Sequence, residues 1–480
     1  MDHYGIDFGT RNTAVECSSG KLTTARGTTI PSAVAYHLLS DEMRFGDDAL
    51  QLLLDPNDAV RDRWRVATSF KTALGSDAPF VKTSKGSKSA QGVLEDYFRF
   101  LVRHAEVQGL PPLSSAAFSI PVDFGAASRS RMLLAARAAG ISPVVVVAES
   151  TAAYLNVAAS QGRAERVAVV DWGAGTLDIS VLGILGGSAL GFQVDERACR
   201  GSNIAGDRID LSIYEFFARE ARSTGRTIPT ADQVPPEIMR PILRRCELEK
   251  ISLSDHTSNR QSVKAIFQRF VDGKGAEFTL TSQDLRELGK QACVKAFGVL
   301  TEAIAEAGLT LRQLDQIIFV GGCTRLLGFR EEAEELFGLA AMFPSEPEWV
   351  VAAGALQVAE GGACYECLQE FGCVLDDGGF LPLSHRWEFV GGSTTITVAA
   401  TERTKHASLI FADREADRVS MVGSLSVPLQ GHVGEPVHVR TTLKRDLTVG
   451  IEAWTSCGIE PKDVRRLDVT NTRFRFKVNP

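Results

Sequence analysis

Two short runs combine the residue types that grip a phosphate and a metal ion. Tyr4-Gly-Ile-Asp-Phe-Gly-Thr-Arg-Asn-Thr-Ala-Val-Glu16 reads as strand, turn, strand: apolar residues lead to Asp7, Gly9 permits a tight bend, and β character resumes at Thr13. Val167-Ala-Val-Val-Asp-Trp-Gly-Ala-Gly-Thr-Leu-Asp-Ile-Ser-Val-Leu182 repeats the scheme, with Asp171, Gly173, Gly175 and Thr176 at its turn. Glycine at such a turn lets backbone N–H groups converge on an anion. A threonine hydroxyl adds a donor, and an aspartate holds a divalent cation by way of water. Either run alone is an ordinary hairpin turn. Two of them at matching positions form an internal repeat able to clamp a magnesium triphosphate from both sides.

Three further segments must position this pair. Ala117-Phe-Ser-Ile-Pro-Val122 reads as a strand, followed by a helix with Ser128 as its N-cap, Met132, Leu133 and Ala136 on one face, and Gly140 closing it. Val144-Val-Val-Val-Ala-Glu149 is a buried strand ending in a carboxylate, and Thr151-Ala-Ala-Tyr-Leu155 opens the next helix. Glu149 therefore sits at a strand's carboxyl end, where open α/β sheets carry their active residues. Gln316-Ile-Ile-Phe-Val-Gly-Gly-Cys-Thr-Arg325 is a strand ending in Gly321-Gly322, bare backbone against which a flat ring can lie. Phe329, Ala333, Leu336 and Phe337 follow it at helical spacing.

The bulk numbers bound the function. A chain of 480 residues exceeds one hydrophobic core, and 44% hydrophobic with 23% charged residues is the composition of ordinary globular protein. A net charge of -7 gives no reason to expect nucleic acid or an anionic membrane as partner. Met1 to Thr10 lacks a basic stretch before an apolar core, and the longest apolar run, Pro143 to Ala148, is too short for a bilayer. Nine scattered cysteines read as reduced thiols. The expectation is a cytoplasmic protein. Neither Gly-x-x-x-x-Gly-Lys-Ser/Thr nor a strand-to-helix Gly-x-Gly-x-x-Gly occurs, which argues against P-loop and dinucleotide enzymes.

In order and spacing these motifs resemble the DnaK-type 70-kDa heat-shock chaperone family along nearly the whole chain. Asp7-Phe-Gly-Thr10 is similar to its first phosphate loop and Asp171-Trp-Gly-Ala-Gly-Thr176 to its second. Phe70-Lys-Thr-Ala-Leu-Gly75 resembles the segment carrying a catalytic lysine, which assigns that role to Lys71. Glu149-Ser-Thr-Ala-Ala153 resembles the first connecting motif, and Pro347-Glu348 with Gly354 the second. Cys246-Glu-Leu-Glu-Lys250 resembles the helix beside the adenosine, and Gly321-Gly-Cys-Thr-Arg325 the adenosine loop.

The resemblance implies an α/β two-lobed actin-like ATPase domain of duplicated ribonuclease-H-like halves over residues 1–362. It implies ATP or ADP with Mg, the metal held through water by Asp7 and Asp171. The implied nucleotide contacts are Gly9, Thr10, Arg11, Gly173, Ala174, Gly175, Thr176, Gly206, Glu247, Lys250, Ser254, Gly321, Gly322, Arg325 and Glu348. Lys71, Glu149, Asp171, Thr176 and Asp178 are the catalytic candidates. A lysine ammonium can steady the attacking water and the terminal phosphate, while carboxylates organise Mg and accept a proton. The chain departs from the family in places. Ile251 replaces an arginine that stacks on adenine, leaving Arg325 to supply that face, and Cys323 replaces a serine. Ala174 replaces a glycine. Arg11 stands where the family has a small hydroxyl residue, and is free either to touch a phosphate or to pair with a nearby acid.

After Gly361-Gly362 the composition turns β-rich. Val437, Val439, Thr441 and Leu443 alternate with polar residues, as do Leu447, Val449, Ile451 and Ala453 beyond Lys444-Arg-Asp446, giving an amphipathic hairpin. Thr394 to Ala400 alternates likewise, so residues 371–480 read as an all-β sandwich resembling the family's peptide-binding domain, which holds extended apolar segments. A purely structural β-module is the alternative. Residues 363–370 take the place of the family's linker, and no room remains for its helical lid, so bound peptide should exchange quickly. Cys364 and Cys367 form a lone Cys-x-x-Cys, read as structural ahead of zinc or redox use.

The leading expectation is an ATP-hydrolysing chaperone for polypeptide clients, with a J-domain co-chaperone and a nucleotide exchange factor implied by resemblance. A nucleotide-dependent scaffold or reactivating factor with little hydrolysis is the main alternative. A small-molecule kinase of the same superfamily is a third, and leaves the β-rich end without a role.

Overall fold

The computed structural model describes residues 2–55, 57–122, 124–161, 164–188, 191–255, 260–361, 364–415, 418–455, 462–470, 472 and 474–478. Gly362 and Ala363, where the composition shift falls, lie outside them. The chain forms two compact units, Met1–Ile184 with Glu196–Glu360, and Leu185–Asp195 with Gly361–Pro480.

In the first unit, apolar runs become the strands of two sheets. One has the order Ser142–Ala148, Ser115–Ile120, Tyr4–Phe8, Asn12–Cys17, Gly20–Leu22. Tyr4, Ile6 and Phe8, which share one face of their strand, are fully buried, and Gly5 on the other face is buried as well. In the second sheet Arg166–Trp172 lies parallel to Gln316–Val320 and antiparallel to Leu177–Ser188. The wiring is the same in both: the strand bearing the aspartate pairs antiparallel with its hairpin partner and parallel with a strand that returns after a helix. The register sets Asp171 opposite Asp178, and Asp7 opposite Ala14.

Two helices meet with almost no side chain between them. Helix Glu149–Gln161 starts at the glutamate itself, two residues earlier than the sequence indicates. A Cβ at Gly354, in helix Val350–Gly361, would run into the carbonyl oxygen of Ala152, and one at Gly5 into that of Ala352. Glycine is required at both contacts. Helix Ala126–Ala138 is capped at Gly125 and not at Ser128, with no side-chain bond, so the hydroxyl expected as a cap lies within the helix. Leu336 is exposed although its neighbours Phe329 and Ala333 are buried, because the nine-residue helix Phe329–Phe337 ends before that face is covered.

The second unit contains two four-stranded sheets. One has the order Phe380–Ser384, Glu370–Val374, His406–Glu415, Arg418–Pro428, and the other Ser393–Ala399, Pro436–Leu443, Val449–Thr455, Lys462–Val469. Phe371, Phe411 and Val427 from the first share one apolar cluster with Val439, Leu443 and Ile451 from the second. The alternation holds over Pro436–Leu443 but not beyond the turn: Leu447 sits in the turn with φ +60°, and Thr448, Val449, Gly450 and Ile451 are all buried. A third set of pairings joins strand Cys364–Cys367 to Phe474–Val478, and that strand to Phe192, Gln193 and Val194. The Tyr365 and Phe476 rings pack 5.1 Å apart, and buried Glu366 bonds Lys477 at 3.1 Å.

Candidate functional site

An aromatic stack fixes the central lysine. Phe70 is fully buried and its ring lies 5.7 Å from that of Phe8. Each has a functional neighbour: Asp7 precedes Phe8, and Lys71 follows Phe70 in the 3-10 turn Phe70–Ala73. The turn opens from Ser69 with φ +57°, a left-handed conformation that a non-glycine residue holds only under constraint. Lys71 Nζ donates to Glu149 Oε1 at 2.9 Å, with both side chains buried. Asp7 accepts from Ser119 Oγ at 2.7 Å. Asp171 and Asp178 face each other across the second hairpin.

These groups form one electrostatic cluster. Burial raises Glu149 to about 7, against the pull of Lys71 and with the push of Asp7 and Asp178. Burial also raises Asp171 well above its ordinary value, with Glu149, Asp7 and Asp178 adding to it. Asp7 rises for the same first reason, offset in part by Lys71 and Ser119. Burial opposes the charge of Lys71, but Glu149 and Asp7 outweigh it and the amine stays protonated. One ammonium among four carboxyls leaves an excess of oxygen donors whose common charge a divalent cation would relieve. No group of three or more such side chains stands close enough to hold a metal directly among the described residues, so this donor set fits Mg only with water between.

The loop tips are shaped for close approach. Gly9 N–H donates to Asn12 O at 3.0 Å and Gly173 N–H to Thr176 O at 2.9 Å, closing both turns. A Cβ on Gly175 would come within 3.1 Å of Thr10 Cγ2, so the tips face each other. The N-terminus of helix Gly206–Ser223 is fastened to the second tip, Gly206 N–H to Gly173 O at 3.2 Å and Asp207 N–H to Ala174 O at 2.8 Å.

On helix Pro236–Ser254, spacings of three and four put Glu247, Lys250, Ile251 and Ser254 on neighbouring positions. Lys250 pairs with Asp210 at 2.7 Å and donates to Gly206 O at 3.1 Å. Glu247 is held by Arg244 at 2.7 Å, and its carboxyl stays below the usual range because that guanidinium and Arg11 outweigh burial. Ser254 Oγ accepts from Leu327 N–H at 3.4 Å. Ile251 is exposed. Gly321, with φ +86°, lies so close to Trp172 O and Asp171 Oδ1 that a Cβ would fall 2.6 Å from each. Gly322 has open space where a side chain would be. Cys323 Sγ donates to Gly173 O at 3.0 Å. Arg325 forms a two-point pair with Glu348, Nη2 to Oε2 at 2.9 Å, which fixes the plane of the guanidinium.

Arg11 reaches across to an acid. Its Nη2 and Nε donate to Asp207 Oδ1 at 2.8 and 3.1 Å. No sequence pattern marks Asp207, Asp210, Arg244 or Ser119. Asp207 and Asp210 follow Gly206 closely, but single acids on an amphipathic helix give no pattern. Cys367, of the Cys-x-x-Cys pair, is buried with its thiol pushed up to about 11 by burial and bonded to Gln369 O. No group of metal-binding side chains is found there among the described residues.

The profile of a family described as Hsp70 protein matches residues 3–408. The chain is 29% identical over 434 residues to the chaperone protein HscA homolog of Pseudomonas paraeruginosa, covering 83% of this chain and 64% of that one. It is 30% identical over 407 residues to the HscA homolog of Bordetella petrii, covering 81% and 62%. The chaperone protein DnaK of Mycoplasmoides gallisepticum is 28% identical over 428 residues, covering 87% and 69%. The chain therefore spans somewhat under two thirds of the length of the HscA homologs it matches. With that match over more than three quarters of its length, on a fold carrying two facing glycine loops around a buried lysine, the chain belongs to the Hsp70 family.

Proposed function

We propose that this chain binds Mg-ATP between its two glycine loops, hydrolyses it slowly, and acts as a chaperone on extended polypeptide segments. The observation that carries the reading is the buried Lys71–Glu149 pair inside the cluster of Asp7, Asp171 and Asp178. The nucleotide unit is residues 1–362, read as duplicated ribonuclease-H-like halves of an actin-like ATPase, which the shared strand wiring supports. Residues 363–370, read as the linker, include the strand Cys364–Cys367 that pairs with Phe474–Val478, and residues 371–480 are read as a β-sandwich and the peptide-holding part.

Asp7 and Asp171 would hold Mg through water, and the ion would supply charge neutralisation at the phosphates. Lys71 orients the attacking water and donates to the phosphate. Glu149 and Asp178 hold that water's other side and accept its proton, a role that a carboxyl raised to about 7 suits. The amides of Thr10 and Arg11 and of Ala174 to Thr176 line the phosphates, while those of Gly9 and Gly173 close the turns that present them. Glu247 and Lys250 serve the ribose, with Gly206 and Ser254 shaping its surroundings. The adenine lies against Gly321 and Gly322, with Arg325, Glu348 and Ile251 at its edges. A cytoplasmic location, and service by a J-domain protein and an exchange factor, belong to the same reading.

Phosphate release from Mg-ATP under single-turnover conditions tests it. Lys71→Ala removes a donor to developing charge, and release should slow on the order of 100-fold or more. Equal rates in both proteins would sink the assignment. The scaffold reading rests on exposed Ile251, which offers no cation to the adenine. It predicts tight Mg-ATP binding with no release from either protein.

A further inference from the structure

Arg11 follows Thr10 on the first loop tip, and Thr10 touches Gly175 of the second. Behind these tips lie three ion pairs: Lys250–Asp210 at 2.7 Å, Arg244–Glu247 at 2.7 Å and Arg11–Asp207 at 2.8 Å. They differ in burial. No side chain of the first two is more than 18% exposed, whereas Arg11 is 24% and Asp207 40% exposed. Water and salt screen the third pair most, so it is the easiest to exchange.

The bonding points the same way. Lys250 has a second anchor in Gly206 O, but both bonds of Arg11 end on one oxygen, Oδ1 of Asp207. A guanidinium gains more from a partner that offers two oxygens side by side, as a phosphate does. Asp207 is itself fastened to the second loop through its amide bond to Ala174 O. The pair therefore ties the first loop to the second, directly beside the two tips.

We infer that Arg11 is a latch on the nucleotide cleft: it rests on Asp207 while no phosphate is present and moves onto the nucleotide's phosphate when one enters. This rests on reading the cleft as a nucleotide site. Asp207 and the phosphate then compete for one guanidinium. Removing either partner of the pair accordingly shifts nucleotide affinity in opposite directions, which a static tie between the loops would not do.

The test is calorimetric titration of Mg-ATP and Mg-ADP into the full chain and into Arg11→Ala, Arg11→Lys and Asp207→Asn. Asp207→Asn should tighten binding by roughly 3- to 10-fold, and Arg11→Ala should weaken it by about 10-fold or more. Arg11→Lys keeps the charge without the fork and should fall between wild type and Arg11→Ala. Thermal midpoints without nucleotide check folding, and Asp207→Ser replaces Asp207→Asn if the latter folds poorly. Affinity lowered by both Arg11→Ala and the Asp207 variant, or changed by neither, overturns the latch and leaves the nucleotide site standing. A wild-type chain that binds neither nucleotide overturns the site reading and the latch with it.

Discussion

Lys71 and Glu149 are each expensive to bury alone. Lys71→Met leaves Glu149 buried without its cation, but a carboxyl already raised to about 7 by burial escapes by keeping its proton. The variant should fold, and its loss of thermal midpoint relative to wild type should grow between pH 6 and pH 8. A loss independent of pH would mean that Glu149 does not titrate in that window. Asp210 gives a second pH signal. Burial raises it to about 7 despite Lys250, so the folded chain holds this proton more tightly than the unfolded chain does. Its contribution is fully present below the ordinary aspartate range and disappears as pH rises through about 7. Asp210→Asn, which keeps the neutral shape, should flatten the fall in thermal midpoint between pH 5 and pH 8; an unchanged slope would refute the assignment. Cys323 can be read more simply. Burial pushes its thiol up to about 12, so iodoacetamide should leave it unmodified in native protein at pH 8 and label it after unfolding.

Among the elements, the helix contact at Gly354 is the least tolerant. A methyl there meets the backbone oxygen of Ala152, which cannot rotate away, so Gly354→Ala should cost about 1–3 kcal/mol or more by urea denaturation. Ser69 is strained in the opposite sense. Ser69→Gly relieves a left-handed φ at the entrance to the lysine turn and should be neutral to stabilising unless the strain itself aims Lys71. These elements differ in how far the sequence announces them. The two hairpins are visible because β-branched runs bracket Asp, Gly and Thr twice over, a pattern that local chemistry enforces. The buried face of Val437 to Leu443 is visible through strict alternation, whereas in Val449 to Ala453 Gly450 is buried along with its apolar neighbours. Ser128 misleads because a hydroxyl near a helix start satisfies the capping pattern wherever the chain actually turns, here at Gly125. Leu336 misleads because helical spacing says which residues share a face but not whether anything covers it. The Arg11–Asp207 and Lys250–Asp210 pairs are set by tertiary folding between residues far apart in the chain, and no local pattern encodes them.

For the molecule as a whole, a ligand that prefers the folded state adds its binding energy to stability. Mg-ATP at 100 times its dissociation constant should add about 2.7 kcal/mol to the unfolding of the unit that binds it, visible as a concentration-dependent midpoint. No such shift with Mg-ATP, at concentrations where binding is seen, would contradict a cleft built around the nucleotide. The second unit is assembled from two stretches of chain, Leu185–Asp195 and Gly361–Pro480. Phe192, Gln193 and Val194 pair with the strand Phe474–Val478, which in turn pairs with Cys364–Cys367. During synthesis the 185–195 arm emerges long before its partner, and its strand edge stays open until residue 478 has left the ribosome. An open edge is a template for pairing with other chains. A nascent chain of this protein therefore carries the Phe192–Val194 edge without its Phe474–Val478 partner until the last strand is made.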